Sequence, residues 1–535
     1  MSIYVNPGNR GFSEINDADY VDKTGLIEKI NQTIGRKNKL TCVSRPRRFG
    51  KSYAAKMLCA YYDRSCDSHS LFTDKDISHS DGYELYMNQF NVIYLDITGF
   101  ISSAKSRHHS LRNVPGTIED LLLKDLIHDG FIYKEGDTFS DCILRNVEKP
   151  DGKPFIFIID EWDAMIREAK DDATAQEAYL NMLRGWFKNS NFTPKAVAAA
   201  YMTGILPIKK DGTQSAISDF EEYTMIKPHM YGEYVGFTEK EVLALCKQHH
   251  VDFSSMKLWY DGYSFKGTGS VYNPNSVMKA VRYHDFDSYW TESSAAEGLI
   301  DYISRDYIGL TKTIAELIGG VEVSVSTVGF ANDLTTFKGK DDVLTLMIHL
   351  GYLAYDSERK TARIPNEEIK LEFQKSIRET GHLQTQKRLQ ESEQLFADVI
   401  HHNENAVAKQ IEKIHAEETA PLHYNREESL RSVIKLAFYT YRDHYLQFEE
   451  LPAGNGYADI VYIPRHDSQW PALVIELKWN KSAEGAIDQI VSKKYPEVLK
   501  NLDSPILLVG INYDKDAATD DRKHSCRIQE YHFDA

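Results

Sequence analysis

The segment Val43-Ser44-Arg45-Pro46-Arg47-Arg48-Phe49-Gly50-Lys51-Ser52 lies between an apolar run, Leu40 to Val43, and a helical pattern from Tyr53 to Tyr62. Strand, tight loop, Gly-Lys-Ser and helix is the order of a phosphate-binding P-loop. Consecutive backbone N–H groups at a helix N-terminus form a concave anion site, and the helix dipole strengthens it. Gly50 lets the backbone approach a phosphate closely. Lys51 is placed to reach β- and γ-phosphates, and Ser52 to put its hydroxyl on Mg²⁺. The first glycine of G-x-x-x-x-G-K-[ST] falls here on Arg45, so the loop is stiffened by Pro46 and carries Arg45, Arg47 and Arg48. The candidate nucleotide contacts are therefore Arg45, Pro46, Arg47, Arg48, Phe49, Gly50, Lys51 and Ser52. An ordinary basic surface loop could carry the same tripeptide, and the next motif argues against that.

Pro154-Phe155-Ile156-Phe157-Ile158-Ile159-Asp160-Glu161-Trp162-Asp163 is a long β-branched and aromatic run that ends on carboxylates. Such a run predicts a buried central strand of a parallel sheet. In P-loop ATPases this position carries the acid that holds Mg²⁺, which assigns Asp160 to the metal shell. Glu161 would orient or deprotonate the attacking water. Lys195 to Thr203 predicts another buried strand, and ligands lie beyond the carboxyl ends of parallel strands. Thr203 is placed to sense a γ-phosphate, or simply caps the strand end.

The ordered set YVDKT (20–24), RPRRFGKS (45–52), IIDEWD (158–163), TGILPI (203–208), GFTEKEV (236–242), WYDGYSF (259–265) and VYNPNSV (271–277) resembles the bacterial AAA-ATPase-like proteins that carry a C-terminal PD-(D/E)XK nuclease-like domain. In that family the RPRRFGKS form of the loop is usual. The resemblance covers nearly the whole chain. It implies an α/β fold in three parts: a P-loop parallel-sheet domain, a helical and winged-helix-like middle, and a C-terminal α/β nuclease-like domain. The expected boundaries are 1–235 for the ATPase-like domain, 236–380 for the helical lid and winged-helix-like region, 381–425 for a helical connector and 426–535 for the nuclease-like domain.

At 535 residues the chain is long enough for several domains. Hydrophobic content of 42% and charged content of 27% are those of a globular protein. No apolar run approaches the ~20 residues of a membrane helix, and Met1-Ser2-Ile3-Tyr4-Val5 lacks the basic and apolar regions of a signal peptide. The six cysteines are scattered and none forms a C-x-x-C pair, which argues against zinc and a disulfide framework and fits a reducing cytoplasm. The net charge of −16 weakens the case for nucleic acid but leaves room for a local basic patch.

Between the motifs the pattern is coarser. Tyr20 to Thr24 precedes a helix with Leu26, Ile27 and Ile30 on one face, capped by Asp22 or Thr24. Asn91 to Ile97 predicts a strand, Ser102 to Gly116 a basic mobile loop, and Thr117 to Asp129 a helix capped by Thr117. Adjacent histidines, as in His108-His109, do not share a helix face and make a poor metal site. Asp171 to Asn189 predicts a helix with Ala175, Tyr179, Met182, Leu183 and Trp186 inward. From Gly236 helices dominate: Thr238 to His249, Asn275 to Tyr283 and Ala295 to Ile303. WYDGYSF either stacks on a base or packs a loop. Residues 341–375 read as helix, GYLAYD, charged turn, TARIP and helix, a winged-helix-like order that binds DNA or packs on the ATPase core. Gly381 to Asn425 reads as polar and helical, with His401-His402 solvated.

The last region carries a second constellation. Glu427 to Tyr441 predicts a helix, Gly454 to Asp459 a glycine-rich entry to the strand Ile460 to Ile463, and Ala472 to Leu477 a strand that ends Glu476-Leu477-Lys478. Residues 476 and 478 share a face in an extended chain, and Asp459 sits on the neighbouring strand. Two carboxylates and an ammonium on one spot suit a Mg²⁺-dependent phosphodiesterase, in which oxygen ligands hold the ion and the ion activates water. Asp459, Glu476 and the Leu477 carbonyl are the candidate ligands for Mg²⁺ or Mn²⁺, and Lys478 would position or deprotonate the water. Gln489 and Lys493, four apart, share a helix face. The resemblance matches the PD-(D/E)XK pattern D…E-x-K…Q-x-x-x-K to Asp459, Glu476, Lys478, Gln489 and Lys493. It matches the family's helix acid to Glu427, with Glu428 a near alternative.

Two functions follow as expectations. One is an ATP-hydrolysing protein whose ATPase gates or powers a Mg²⁺-dependent nuclease acting on DNA, in defence against foreign DNA or in processing mobile elements. The other is a signalling-type switch ATPase whose nuclease-like domain binds nucleic acid or a partner without cutting. No membrane is expected as a partner. The oligomeric state stays open, a homo-oligomer with an arginine supplied across a subunit interface included.

Overall fold

The computed structural model describes all residues except 1, 18, 209–216, 291–306, 308, 319, 331–336, 381–382, 419–433, 435–444, 454–455, 465–469, 501, 503, 518–522 and 534–535. The chain divides into two compact units, residues 1–310 with 322–373 and residues 311–321 with 374–535.

The first unit is built on a parallel sheet. Its strands are β1 (Leu40–Ser44), β2 (Asn91–Asp96), β3 (Phe155–Asp160), β4 (Val197–Gly204) and β5 (Glu221–Tyr223), in the order β2-β3-β4-β1-β5. Every residue of β1, β3 and β4 is buried. Parallel sheets are covered on both faces, so such strands read as continuous apolar runs. β4 lies between the loop strand and the acid strand, pairing Val43 with Thr203 and Ile159 with Met202. At the outer edge Val5 bridges Ile93 of β2. The helices Val114–His128 and Ala173–Phe187 contribute to the core on this sheet, with Leu122, Tyr179, Leu183 and Trp186 buried.

Two expectations here are corrected. Part of the segment read as a mobile loop is the helix Ile97–Ser106, because the Asp96 carboxylate caps the N–H groups of Thr98 and Gly99 while Ile97, Phe100 and Ile101 are buried. The following helix starts at Val114, with Pro115 in its first turn, so Thr117 is inside it and its hydroxyl donates to the Asn113 carbonyl at 2.9 Å.

The rest of this unit is less uniformly helical than its pattern. β6 (Phe237–Thr238), β7 (Tyr263–Phe265) and β8 (Gly269–Tyr272) form a small antiparallel sheet in the order β6-β8-β7. Tyr263 and Phe265 of WYDGYSF are buried in it. Helices Glu239–His249 and Pro274–Tyr283 flank it, the first with a complete Thr238/Glu241 capping box. β9 (Val323–Ser324), β10 (Ala354–Asp356) and β11 (Thr361–Arg363) make a second sheet, ordered β10-β11-β9, with the helix Lys340–Leu350 between β9 and β10 in the chain. The helix expected at Ala295 to Ile303 lies outside the described residues.

The second unit holds a mixed sheet of β12 (Tyr445–Ala453), β13 (Gly456–Pro464), β14 (Ala472–Trp479), β15 (Ile506–Tyr513) and β16 (His524–Tyr531), in sequence order. Only β14 and β15 run parallel. β12 escaped the sequence reading. It is an edge strand that carries Pro452, and such strands have a weak signal. Gly381 to Asn425 is more than a connector: Leu395, Phe396, Val399, Val407 and Ile411 of helices Leu383–Ile400 and Glu404–Glu418 are buried with Ile460, Ile475 and Val509. Helix Ala483–Ser492 supplies Ile487 and Ile490 to the core on the opposite face, with Val474 and Leu508. The expected helix Glu427 to Tyr441 lies, apart from Ile434, outside the described residues. His401 and His402 are exposed.

Candidate active sites

Loop residues 45–52 separate into two sets by direction. Gly50 has φ 89°, the left-handed turn that opens the helix Lys51–Tyr62, and Arg48 also lies there at 66°. Arg47, Arg48, Phe49, Gly50, Lys51 and Ser52 line a cleft of about 930 Å³. Arg45 does not, and its expected contact with nucleotide is corrected. Its side chain is 0% exposed, donates to the carbonyls of Ser44 (2.9 Å), Tyr223 (3.1 Å) and Tyr231 (3.4 Å), and lies 5.0 Å from the Phe265 ring centre. Burial lowers its guanidinium to about 10. Pro46 is also turned from the cleft; its carbonyl receives the Lys51 ammonium at 2.8 Å. Phe49 is buried edge-on against Tyr263, ring centres 5.5 Å apart. Arg45→Ala should cost about 3 kcal/mol, because it strands buried carbonyls and opens a cavity; chemical denaturation of the full chain measures this.

β3, β4 and the loop helix bring the remaining residues together. Ser52 and Thr203 both hydrogen-bond to the Asp160 carboxylate. The Thr203 hydroxyl also accepts the Glu161 backbone N–H at 3.2 Å. Lys51, 4% exposed, pairs with Glu161 Oε1 at 3.4 Å. Burial raises the Asp160 carboxyl, and the Ser52 and Thr203 hydroxyls oppose that in part. Burial also acts to raise Glu161, but the Lys51 and Arg167 charges outweigh it and hold that carboxyl below its usual range.

Ser52 and Asp160 offer adjacent oxygen donors. Mg²⁺ takes one or two protein carboxylates and completes its shell with phosphate and water, so this pair fits it. Among the described residues no three His, Cys, Asp or Glu side chains form a ready cage.

Four residues in or behind the cleft were not read from the sequence as part of the site. Arg167 pairs with Glu161 and Asp163. Asp163 accepts the backbone N–H groups of Ile205 and Leu206 at 3.2 and 2.9 Å. Lys279 and Arg282 reach the cleft from the helix that VYNPNSV begins. The i,i+4 spacing of Asp163 and Arg167 was the one available signal.

In the second unit, alternation along β14 puts Glu476 and Lys478 on one side, where Lys478 Nζ donates to Glu476 Oε1 at 2.9 Å. Gln489 closes the set: its Oε1 accepts from Lys478 at 2.6 Å and its Nε2 donates to Glu476. Tyr495, missed in the sequence, accepts from the same Nε2 at 3.2 Å. Asp459 Oδ2 accepts the Leu477 N–H at 2.9 Å. N–H and C=O of one strand residue point the same way, so the Leu477 carbonyl faces the Asp459 side, beyond the last paired residue of β13 and β14. Burial raises the Glu476 carboxyl, and nearby Asp459 adds to this against Lys478. Glu476 Oε2 is buried with no hydrogen-bond partner. An orphaned carboxylate oxygen beside a second carboxylate and a strand carbonyl fits a divalent cation. Lys493 is the exposed C-cap of the helix and joins none of these side-chain bonds. Glu427 and Glu428 lie outside the described residues.

The chain thus joins an α/β phosphate-loop unit to a mixed-sheet unit with a carboxylate–lysine site. Residues 8–214 match the family model described as predicted AAA-ATPase, and residues 425–522 match the PD-(D/E)XK nuclease superfamily. The chain thus carries an AAA-ATPase-like domain and a C-terminal PD-(D/E)XK nuclease superfamily domain. No curated protein matches it. Among solved structures it is similar to the Aeropyrum pernix ORC2 protein in its ADPNP–ADP complexes, at 13% identity over 68% of this chain and 97% of that one, TM-score 0.31. It is also similar to CDC6P from Pyrobaculum aerophilum, at 10% identity over 68% and 98%, TM-score 0.23. No described helix is long and apolar enough to cross a membrane.

Proposed function

We propose that the protein hydrolyses ATP at the Lys51/Glu161 cleft and cuts DNA at the Asp459/Glu476 site, the first activity controlling the second. The observation that carries this reading is the buried Glu476 Oε2, orphaned in a set otherwise closed by hydrogen bonds.

In the cleft, the backbone N–H groups after Gly50 and the Lys51 ammonium bind the phosphates. Ser52 and Asp160 would hold Mg²⁺, and the bound ion would supply neutralisation of charge on the phosphates. Glu161 orients the water and takes its proton, and Thr203 holds Asp160 and the Glu161 backbone in register. Arg47 and Arg48 add contacts to the phosphates. Arg47→Ala or Arg48→Ala should weaken ATP binding about tenfold, the loss of one charge-assisted hydrogen bond; titration calorimetry measures it, and unchanged affinity in both variants removes the role.

At the nuclease site Asp459, Glu476 and the Leu477 carbonyl would hold Mg²⁺ or Mn²⁺, and a bound ion would supply activation of water and charge stabilisation at the phosphate. Lys478, fixed between Glu476 and Gln489, positions that water. Gln489 orients Lys478, and Lys493 contacts the DNA backbone from the helix end.

Plasmid cleavage in Mg²⁺, with and without ATP, tests the whole reading. Cleavage that depends on both supports it. Nucleotide-dependent DNA binding without cleavage would place the protein with switch ATPases.

A further inference from the structure

Arg167 lies on the short helix Ala164–Glu168 that follows β3. Its side chain is 12% exposed and reaches two carboxylates, Nη2 to Glu161 Oε2 at 2.5 Å and Nε to Asp163 Oδ2 at 3.0 Å. Asp163 is fully buried, and the same Oδ2 is fixed by the backbone N–H groups of Ile205 and Leu206 beyond β4. The guanidinium is therefore anchored to rigid backbone on one side and holds Glu161 on the other. The second Glu161 oxygen, Oε1, faces Lys51 at 3.4 Å.

These two ion pairs differ in kind. The ammonium of Lys51 is a point charge on a flexible stem, and a triphosphate competes directly for it. Arg167 presents a planar fork whose other arm is tied to a buried carboxylate, so it has far less freedom to leave.

We propose that Arg167 is a positioning residue for ATP hydrolysis: anchored by Asp163, it clamps one oxygen of Glu161 so that the other faces the attacking water once Lys51 has turned to the phosphates. The proposal rests on Glu161 being the group that takes the proton. In the step it serves, the water oxygen bonds to the γ-phosphorus and the bond from that phosphorus to the β–γ bridging oxygen breaks. ADP leaves with the bridging oxygen, and the water proton passes to Glu161. A carboxylate fixed through one oxygen presents the other in one direction, and orientation of this kind acts on the chemical step rather than on binding.

The test measures single-turnover hydrolysis and ATP affinity in the full chain for Arg167→Gln, Arg167→Lys, Glu161→Gln and the double variants. Arg167→Gln should slow the chemical step about tenfold or more while ATP affinity stays within about twofold. Arg167→Lys should recover part of the rate. In the Glu161→Gln background neither substitution should slow hydrolysis further, because Arg167 acts through Glu161. If Arg167→Gln does not fold, Arg167→Lys in the two backgrounds carries the same comparison. The proposal fails if Arg167→Gln hydrolyses at or above the wild-type rate. It fails too if ATP affinity falls with the rate, or if the losses add in the double variant, since the guanidinium then acts on the phosphates directly. A wild-type rate in Glu161→Gln alone would instead overturn the assignment of Glu161.

Discussion

Glu476→Gln should abolish DNA cleavage while leaving the protein at least as stable as wild type. Glu476 is buried, its carboxyl is raised by that burial, and Asp459 repels it further. An amide of the same shape keeps an acceptor for Lys478 and removes the repulsion between Glu476 and Asp459. A cation bound there would lose a ligand, and with it would go several kcal/mol of stabilisation of the developing phosphate charge, about a thousandfold in rate. Asp459→Ala should have the same effect on cleavage. Lys478→Ala should still bind Mn²⁺ in calorimetry yet fail to cut, because the ion's ligands remain and the water's partner does not. Plasmid nicking under matched Mg²⁺ and thermal melting are the two measurements. Cleavage by purified Asp459→Ala at the wild-type rate would show that the activity belongs elsewhere. Because the net charge is −16, DNA has to engage a local basic surface, and cleavage should fall steeply with salt.

Lys51→Ala should eliminate measurable ATP binding, and Glu161→Gln should bind ATP but turn it over about 10²–10⁴-fold more slowly. Lys51 is buried between the Pro46 carbonyl and Glu161, so its charge has no near substitute in the loop helix. Removing it also leaves Glu161 with Arg167 as its remaining ion-pair partner among those described. In Glu161→Gln the Ser52 and Asp160 donors survive, so metal and nucleotide stay while the water loses its base. Calorimetry and phosphate release separate the two effects. Hydrolysis by Glu161→Gln at the wild-type rate would contradict its role.

Much of both sites was legible because their chemistry is carried by short contiguous patterns. Gly50-Lys51-Ser52 needs only a strand before it and a helix after it, and Asp160-Glu161 needs only the end of a buried strand. Glu476 and Lys478 share a side because the strand repeat is two residues. Gln489 was named from its helix spacing to Lys493, yet it is Gln489 that bonds to Glu476 and Lys478, while Lys493 sits exposed at the helix end.

The amino-acid sequence by itself determined the apolar strands, the phosphate loop, the two carboxylate strand ends and the α/β class, since these rest on periodicity and on residues adjacent in the chain. Tertiary structure alone decided where long side chains point. Arg45 lies six residues before the helix yet turns away to satisfy carbonyls on β5 and beyond it, whereas Arg47 and Arg48 face the cleft. Nothing local distinguishes these arginines; burial and the supply of unpaired carbonyls do. The insertion of β4 between β1 and β3, which brings Thr203 onto Asp160, and the clamp from Arg167 through Asp163 to residues 205 and 206 join groups about forty residues apart. Such pairings are set by which strands become neighbours, and that depends on burying both faces of the whole sheet at once.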